Sequence, residues 1–500
     1  MYSHIHLGLI RVGIKSIIYF ALGLLAFPAT SGAAAGKDRW AGLEPCEIAI
    51  AGGRLSAEAH CGTLEVPENP AAPEGRHIEL AFAVAPARAS RAEADPIVYL
   101  AGGPGQSARE TLPIMQRALR DLNRDRDLIF LDQRGTGGSN ILDCEMDDDG
   151  EIWLETDMEH SSDVLRECLE RWDADVRFYT TTEGARDLET LREHYGIEQL
   201  NLIGGSYGTR MAQVYLRNYP ERVRSVVLDG VAPTRLHLGS EHGIMLDRAL
   251  QRLFDACRED PECAERFPRL HAAFDELKAR YRSNNQSIFV THPRTGQGFE
   301  MNFTREVLAS ALRFLAYSPE SQMKIPYLVH EAAETGNPER LASQALIVTD
   351  QMMDLIAVGL NFAVGCSEDW PDWPQDIDQS ATLLGESMTE LYREICSWWP
   401  AGEVPEDFHQ PFDADVPMLI LSGELDPVTP PEYGDEALAQ FSNARHLTAT
   451  GRGHIVLTNP CISRIATRFI RSADIKDLDT GCMDAIGPEP FFLDLLGPAP

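Results

Sequence analysis

The ten residues Leu200-Asn201-Leu202-Ile203-Gly204-Gly205-Ser206-Tyr207-Gly208-Thr209 constrain this chain more than any other stretch. A short apolar run ends in Gly-x-Ser-x-Gly. Met211, Ala212, Tyr215, Leu216 and Tyr219 then recur at helical spacing until Pro220 stops the pattern. Strand, sharp turn and helix form the setting of a nucleophile elbow, whose glycines allow a turn where a Cβ would clash. The serine hydroxyl then projects from the top of a sheet, beside N–H groups at the positive end of the helix. With 39 Gly in the chain, chance alone supplies about 0.2 such patterns. A base, an acid and an oxyanion hole must therefore be found elsewhere in the sequence.

The flanking segments predict strands alternating with helices. Thr63 to Val66, Ile78 to Val84, Pro96 to Leu100, Leu128 to Leu131, Val226 to Leu228, Met418 to Leu421 and His446 to Ala449 read as strands. Helical spacing runs over Thr111 to Leu122, Ala185 to Tyr195 and Cys461 to Arg471. Such alternation implies parallel pairing with right-handed crossovers, hence an α/β sheet covered on both faces. From about Pro233 to Phe412 helical periodicity takes over, with a hairpin of Ile288 to Val290 against Phe299 to Phe303. The expected organisation is a leader over 1–35, a first core segment over 36–232, a mostly helical cap over 233–412 and a second core segment over 413–500.

Three strand ends carry chemistry besides the elbow. Pro96 to Leu100 empties into Ala101-Gly102-Gly103-Pro104-Gly105, a loop that cannot be helical and exposes backbone N–H groups. Met418 to Leu421 leads into a turn holding Asp426, closed by Pro427 and Pro430. After the last strand, Thr450-Gly451-Arg452-Gly453 presents His454. The order Ser206, Asp426, His454 is that of the α/β-hydrolase triad, and not of chymotrypsin or subtilisin. His454 would take the proton of Ser206 as it attacks a carbonyl, and Asp426 would hold the imidazole tautomer. The N–H groups of Tyr207 and Gly103, with Gly102 as neighbour, would meet the oxyanion. This chemistry needs no metal or organic cofactor.

Those motifs, with Asp132-Gln133-Arg134-Gly135, resemble the proline iminopeptidase and tripeptidyl aminopeptidase group of α/β-hydrolases. The resemblance follows motif order through nearly all of the chain after the leader. Ala101 stands where proline iminopeptidases usually carry His, so the chain looks more like the secreted tripeptidyl aminopeptidase branch. The resemblance implies an aminopeptidase acting on peptides with a free N-terminus. A buried ammonium needs a carboxylate partner. The Cys-x-acid pattern of Gly365-Cys366-Ser367-Glu368-Asp369-Trp370, similar to one in that group, makes Glu368 the first candidate and Asp369 the second. A carboxylesterase or lipase-like hydrolase with the same triad, and a silent binding module on this fold, are the rival readings.

The net charge of −33 argues against nucleic acid and anionic membrane as partners. Arg11 and Lys15 precede the apolar run Ile17 to Phe27 and the small residues Ala29 to Ala35, the pattern of a secretory signal. An uncleaved anchor is the alternative; after cleavage no stable membrane insertion is expected, and the protein would be periplasmic or secreted. Ten cysteines fit export: Cys46, Cys61, Cys144, Cys168, Cys257, Cys263, Cys366, Cys396, Cys461 and Cys482. Sequence neighbours pair most simply, although spacing alone leaves the connectivity open.

Overall fold

The structure is a computed structural model that describes residues 39–50, 55–144, 158–293, 295–353 and 355–498. The leader expected over 1–35 lies outside them. Three antiparallel strands come first: β1 (Glu44–Ala49), β2 (Ser56–Pro67) and β3 (His77–Ala85). Next come β4 (Ile97–Leu100), α1 (Ala108–Ala118), β5 (Leu128–Leu131), α2 (Met158–Arg171), α3 (Thr181–His194), β6 (Leu200–Gly205), α4 (Tyr207–Asn218) and β7 (Val223–Asp229). The sheet order is β1-β2-β3-β5-β4-β6-β7, continued by two late strands, β10 and β11, defined below. β3 meets β5 antiparallel, and from β5 onward the sheet is parallel, with Val98 beside Leu202 and Leu202 beside Val226.

Every residue of β4, β5 and β6 is buried, as strands covered on both faces require. Alternate residues face opposite layers. Val98, Leu202, Val226 and Leu228 join Leu188 of α3 and Met211 and Tyr215 of α4. Ile97, Tyr99, Ile203 and Val227 join Leu112 and Met115 of α1. The elbow helix therefore stands on one face with its apolar side held by the sheet.

Between β7 and the next core strand the chain builds helices and one hairpin. These are α5 (His242–Glu259), α6 (Pro261–Arg266), α7 (Leu270–Tyr281), the pair β8 (Gln286–Thr291) and β9 (Gly298–Phe303), α8 (Arg305–Leu315) and α9 (Pro319–Gln322). Then come α10 (Ile325–Thr335), α11 (Glu339–Met353), α12 (Val358–Val364), the short turns over 365–372 and α13 (Ser387–Cys396). Leu250, Phe254, Phe274, Phe303, Leu312 and Val329 gather an apolar core there, distinct from the two sheet layers. The sheet resumes with β10 (Met418–Gly423), α14 (Pro431–Gln440), β11 (Ala444–Ala449) and α15 (Pro460–Ser472).

The ten cysteines pair as sequence neighbours: Cys46–Cys61, Cys144–Cys168, Cys257–Cys263, Cys366–Cys396 and Cys461–Cys482. Two elements differ from expectation. The sequence predicts a strand here only over Thr63 to Val66, whereas β1 and the first half of β2 are strands as well. Their side chains are largely exposed, and backbone pairing with the Cys46–Cys61 bridge makes the hairpin. α2, in a stretch after Cys144 for which the sequence predicts no element, docks Leu165 and Cys168 into an apolar cluster with Trp399.

Candidate active site

Ser206 sits where β6 ends and α4 begins, with φ 55° and ψ −125°. A non-glycine residue held there costs about 1–3 kcal/mol, and surrounding bonds must enforce it. The Ser206 N–H donates to the Asp229 carbonyl at 2.9 Å, and its own carbonyl accepts the Thr209 N–H at 2.8 Å and the Thr209 hydroxyl at 2.6 Å. Gly208 allows the helix to start hard against β4, since a Cβ there would lie 2.0 Å from the Leu100 carbonyl oxygen.

Asp426 lies in the turn after β10 and is wholly buried. Its Oδ1 accepts the N–H groups of Val428 at 2.9 Å and Thr429 at 2.8 Å. Its Oδ2 accepts the Thr429 hydroxyl and the Nδ1–H of His454, both at 2.8 Å. Burial opposes ionisation of Asp426, yet His454 and these donors outweigh it and hold the carboxyl below its ordinary 3.8. Burial likewise opposes the imidazolium of His454, and Asp426, with help from Asp229, raises the ring above its ordinary 6.5. The His454 N–H donates to the Tyr317 carbonyl at 2.8 Å, and the Tyr317 ring stands edge-on to the imidazole at 5.1 Å.

Asp229, at the end of β7, accepts the N–H groups of Val456 at 3.0 Å and Leu457 at 2.8 Å. Burial pushes its carboxyl up to about 6 despite those donors. One strand end thus grips both the elbow backbone and the loop after the histidine. The sequence reading passed over Asp229 as the end of a strand; the Asp229-Gly230 dipeptide there was its only signal.

The Gly-rich loop packs against the elbow: a Cβ on Gly102 would lie 3.1 Å from Cβ of Ser206. The Gly102 N–H is taken by Oε1 of Gln106 at 3.1 Å. Among the described residues, the N–H groups of Gly103 and Tyr207 have no protein acceptor, and both residues line the same cavity as Ser206 and His454. That cavity measures about 480 Å³. Its walls are mostly apolar, with Leu236, Phe314, Val358, Phe362 and Leu391 among them. His242 and Arg313 also line it, and neither was singled out from the sequence. No Asp or Glu does so among the described residues.

Glu368 and Asp369 are placed elsewhere. Both are buried and neither lines the cavity. Oε1 of Glu368 accepts the Thr181 N–H at 2.6 Å, and Oε2 accepts the Thr181 hydroxyl at 2.8 Å beside the guanidinium of Arg210 at 3.4 Å. Asp369 takes a two-pronged pair from Arg210 at 3.0 and 3.1 Å. Burial pushes the Glu368 carboxyl up to about 7, against the pull of Arg210. The Tyr207 hydroxyl meets the Thr181 hydroxyl at 2.7 Å and accepts from Gln133 at 3.1 Å. Arg210 pairs with both acids, and Glu368, through Thr181 at a helix start, braces the residue after Ser206. Neither carboxylate therefore lines the cavity in which the sequence expected one of them to face a substrate ammonium. Trp370 and Trp373 pack against one another, and Trp373 on Tyr392, also outside the cavity wall.

A family model described as the alpha/beta hydrolase fold matches residues 95–459. The chain belongs to the α/β-hydrolase family. Within it, this α/β-hydrolase is similar to serine protease Hip1 of Mycobacterium tuberculosis, 22% identical over 472 residues covering 85% of this chain and 88% of that protein. It is also similar to a tripeptidyl aminopeptidase of Streptomyces coelicolor, 24% identical with 91% and 89% covered. A solved proline iminopeptidase of Mycobacterium smegmatis is 16% identical, with 83% of this chain and 99% of that one covered and a TM-score of 0.41. The α/β-hydrolase is a serine hydrolase by its elbow and its family.

Proposed function

We propose that this α/β-hydrolase is an exported serine peptidase that releases N-terminal residues or short peptides. The observation that carries the reading is His454, held by the buried Asp426, lining one cavity with Ser206 beneath the helices that follow β7. At about 480 Å³ the cavity is in the range of small-ligand pockets. It has room for the end of a peptide. The relatives named as a serine protease and a tripeptidyl aminopeptidase support the same reaction class. Five disulfides and the leader sequence support export.

In this mechanism the neutral Nε2 of His454 takes the Ser206 proton as Oγ attacks the scissile carbonyl. Asp426 keeps Nδ1 protonated and stabilises the imidazolium. The N–H groups of Gly103 and Tyr207 receive the oxyanion; losing one such donor typically costs about 10²–10³ in rate. The imidazolium then protonates the leaving amine, and water, deprotonated by His454, releases the acyl group.

One observation favours a second reading, a carboxylesterase: no carboxylate among the described lining residues stands ready for an ammonium. Aminoacyl-, dipeptidyl- and tripeptidyl-coumarins, each with an N-acetylated twin, together with a neutral 4-nitrophenyl ester, separate the two. Turnover of free-amine peptides, lost on acetylation, is the expected result. Ester turnover with no peptide cleavage would replace the peptidase reading. A folded protein whose Ser206 fails to react with a fluorophosphonate would be a silent module.

A further inference from the structure

The cavity wall carries a cation, Arg313, with no acidic partner among the described residues. Arg313 occupies the last turn of α8, and its side chain lines the wall shared with Ser206 and His454. Among the described residues it forms no ion pair, in a chain with 77 acidic residues. Other buried arginines differ: Arg134 is paired with Asp187, and Arg210 with Glu368 and Asp369. Among the described residues, the polar partner of the Arg313 guanidinium is Nδ1 of His242 at 3.2 Å. Nε of Arg313 is closed off from solvent with no acceptor.

An arginine can only donate, so His242 must accept at Nδ1 and carry its proton on Nε2. Burial, the Arg313 charge and the His454 ring hold His242 well below its ordinary 6.5, so the ring is neutral. It orients the guanidinium without cancelling its charge. The C-terminal dipole of α8 offers about half an elementary charge of compensation. The guanidinium, however, donates across to α5 rather than to the carbonyls of its own last turn. A partly buried cation with unused donors, on the wall of the chamber that also holds the reacting serine and is mostly apolar, is half of an ion pair.

We infer that the guanidinium of Arg313 receives a carboxylate of the substrate, so that the preferred substrates are anionic close to the bond that is cut. Arg313 lines the same cavity as Tyr317 and His454, and its charge acts on the His454 ring, so a substrate seated at Ser206 lies in the same chamber as the cation. Two sources supply the same chemistry: the side chain of an acidic residue on the acyl side, or the free C-terminus of a short leaving peptide. The inference rests on Ser206 and His454 as the reacting pair and is independent of whether the bond is an amide or an ester.

Three matched substrate pairs test it. The first pair is a coumarin amide with Glu or Gln at the cleaved position. The second is a short peptide with a free or an amidated C-terminus. The third is a 4-nitrophenyl ester of glutarate or of glutaramate. We expect kcat/KM to favour the carboxylate at least tenfold in one of the first two pairs and in the ester pair, the scale of a charge-assisted hydrogen bond. Arg313→Gln should bring that ratio within threefold of unity, and Arg313→Lys should keep part of it. Each ratio is internal to one preparation, so a poorly folded variant lowers both members together. Preference in the first pair assigns a side-chain carboxylate, and in the second a C-terminal one. If only the esters are hydrolysed, the peptidase reading fails while the ester ratio still decides the role of Arg313. Ratios near one in all pairs for the wild-type protein, or a preference that survives Arg313→Gln, would overturn the inference. Absence of turnover on every substrate would overturn it together with the hydrolase reading.

Discussion

Replacing Asp426 by Asn is a perturbation of a single atom, and the surrounding bonds dictate its outcome. The Oδ1 position accepts two backbone N–H groups, from Val428 and Thr429, which cannot turn away. The amide oxygen of Asn must therefore take that position and the NH2 must take the other. The Thr429 hydroxyl can rotate to accept, but the Nδ1–H of His454 would face a donor. The ring then moves its proton to Nε2, the atom that has to receive the proton of Ser206. Restoring the productive tautomer leaves a buried N–H unpaired, at about 1–3 kcal/mol, and the imidazolium loses a charged hydrogen bond worth about 1.5–3 kcal/mol. At about 1.36 kcal/mol per decade the sum corresponds to a fall of two to four orders of magnitude. The assay is kcat/KM on any substrate that turns over, with the second-order rate of fluorophosphonate labelling and the thermal midpoint beside it. A variant within tenfold of wild type, at unchanged stability, would refute this account of the carboxylate.

Other outcomes follow from the same geometry. Because Asp426 and Asp229 raise the His454 ring, and the base must be neutral, kcat/KM should rise with pH through a midpoint above 6.5; in Asp426→Asn that limb should move to lower pH. Asp229→Asn removes one of two acceptors for the Val456 and Leu457 N–H groups, and a tenfold to hundredfold loss in kcat is expected, measured by single-turnover kinetics. Arg210→Met strands Glu368 and Asp369 without their cation, and a loss of about 3–5 kcal/mol should appear as a lower urea midpoint. Cys366→Ala with Cys396→Ala opens a 30-residue loop, and should cost about 3–4 kcal/mol by the same measurement.

The residues legible in the sequence are those whose setting is local. Ser206 is announced by the glycines around it, Asp426 by a turn that directly follows a buried strand, and His454 by a glycine-rich turn after the last strand. The parallel strands were legible because burial on both faces leaves apolar runs. β1 was not, since its exposed side chains carry no period and its pairing is done by backbone groups. Glu368 and Asp369 could be picked out as acids in an unusual segment. Which way they point is decided by Arg210, 158 positions before Glu368 along the chain. Arg313 reads as the polar side of an amphipathic helix between Leu312 and Phe314, and only tertiary packing turns that side toward a chamber. What was missed depends on long-range company, which no short window records.

The buried cluster of Arg210, Glu368 and Asp369 has a bearing on how a substrate gets in. It joins the helix that starts beside the reacting serine to the turn that follows α12, so the roof is riveted to the floor at this corner. Lifting the roof there would pull three charges apart while leaving them largely away from water, and the Cys366–Cys396 bridge holds the same turn from behind. A substrate entering at this corner would have to break the cluster, so this corner is a fixed post of the chamber's surroundings.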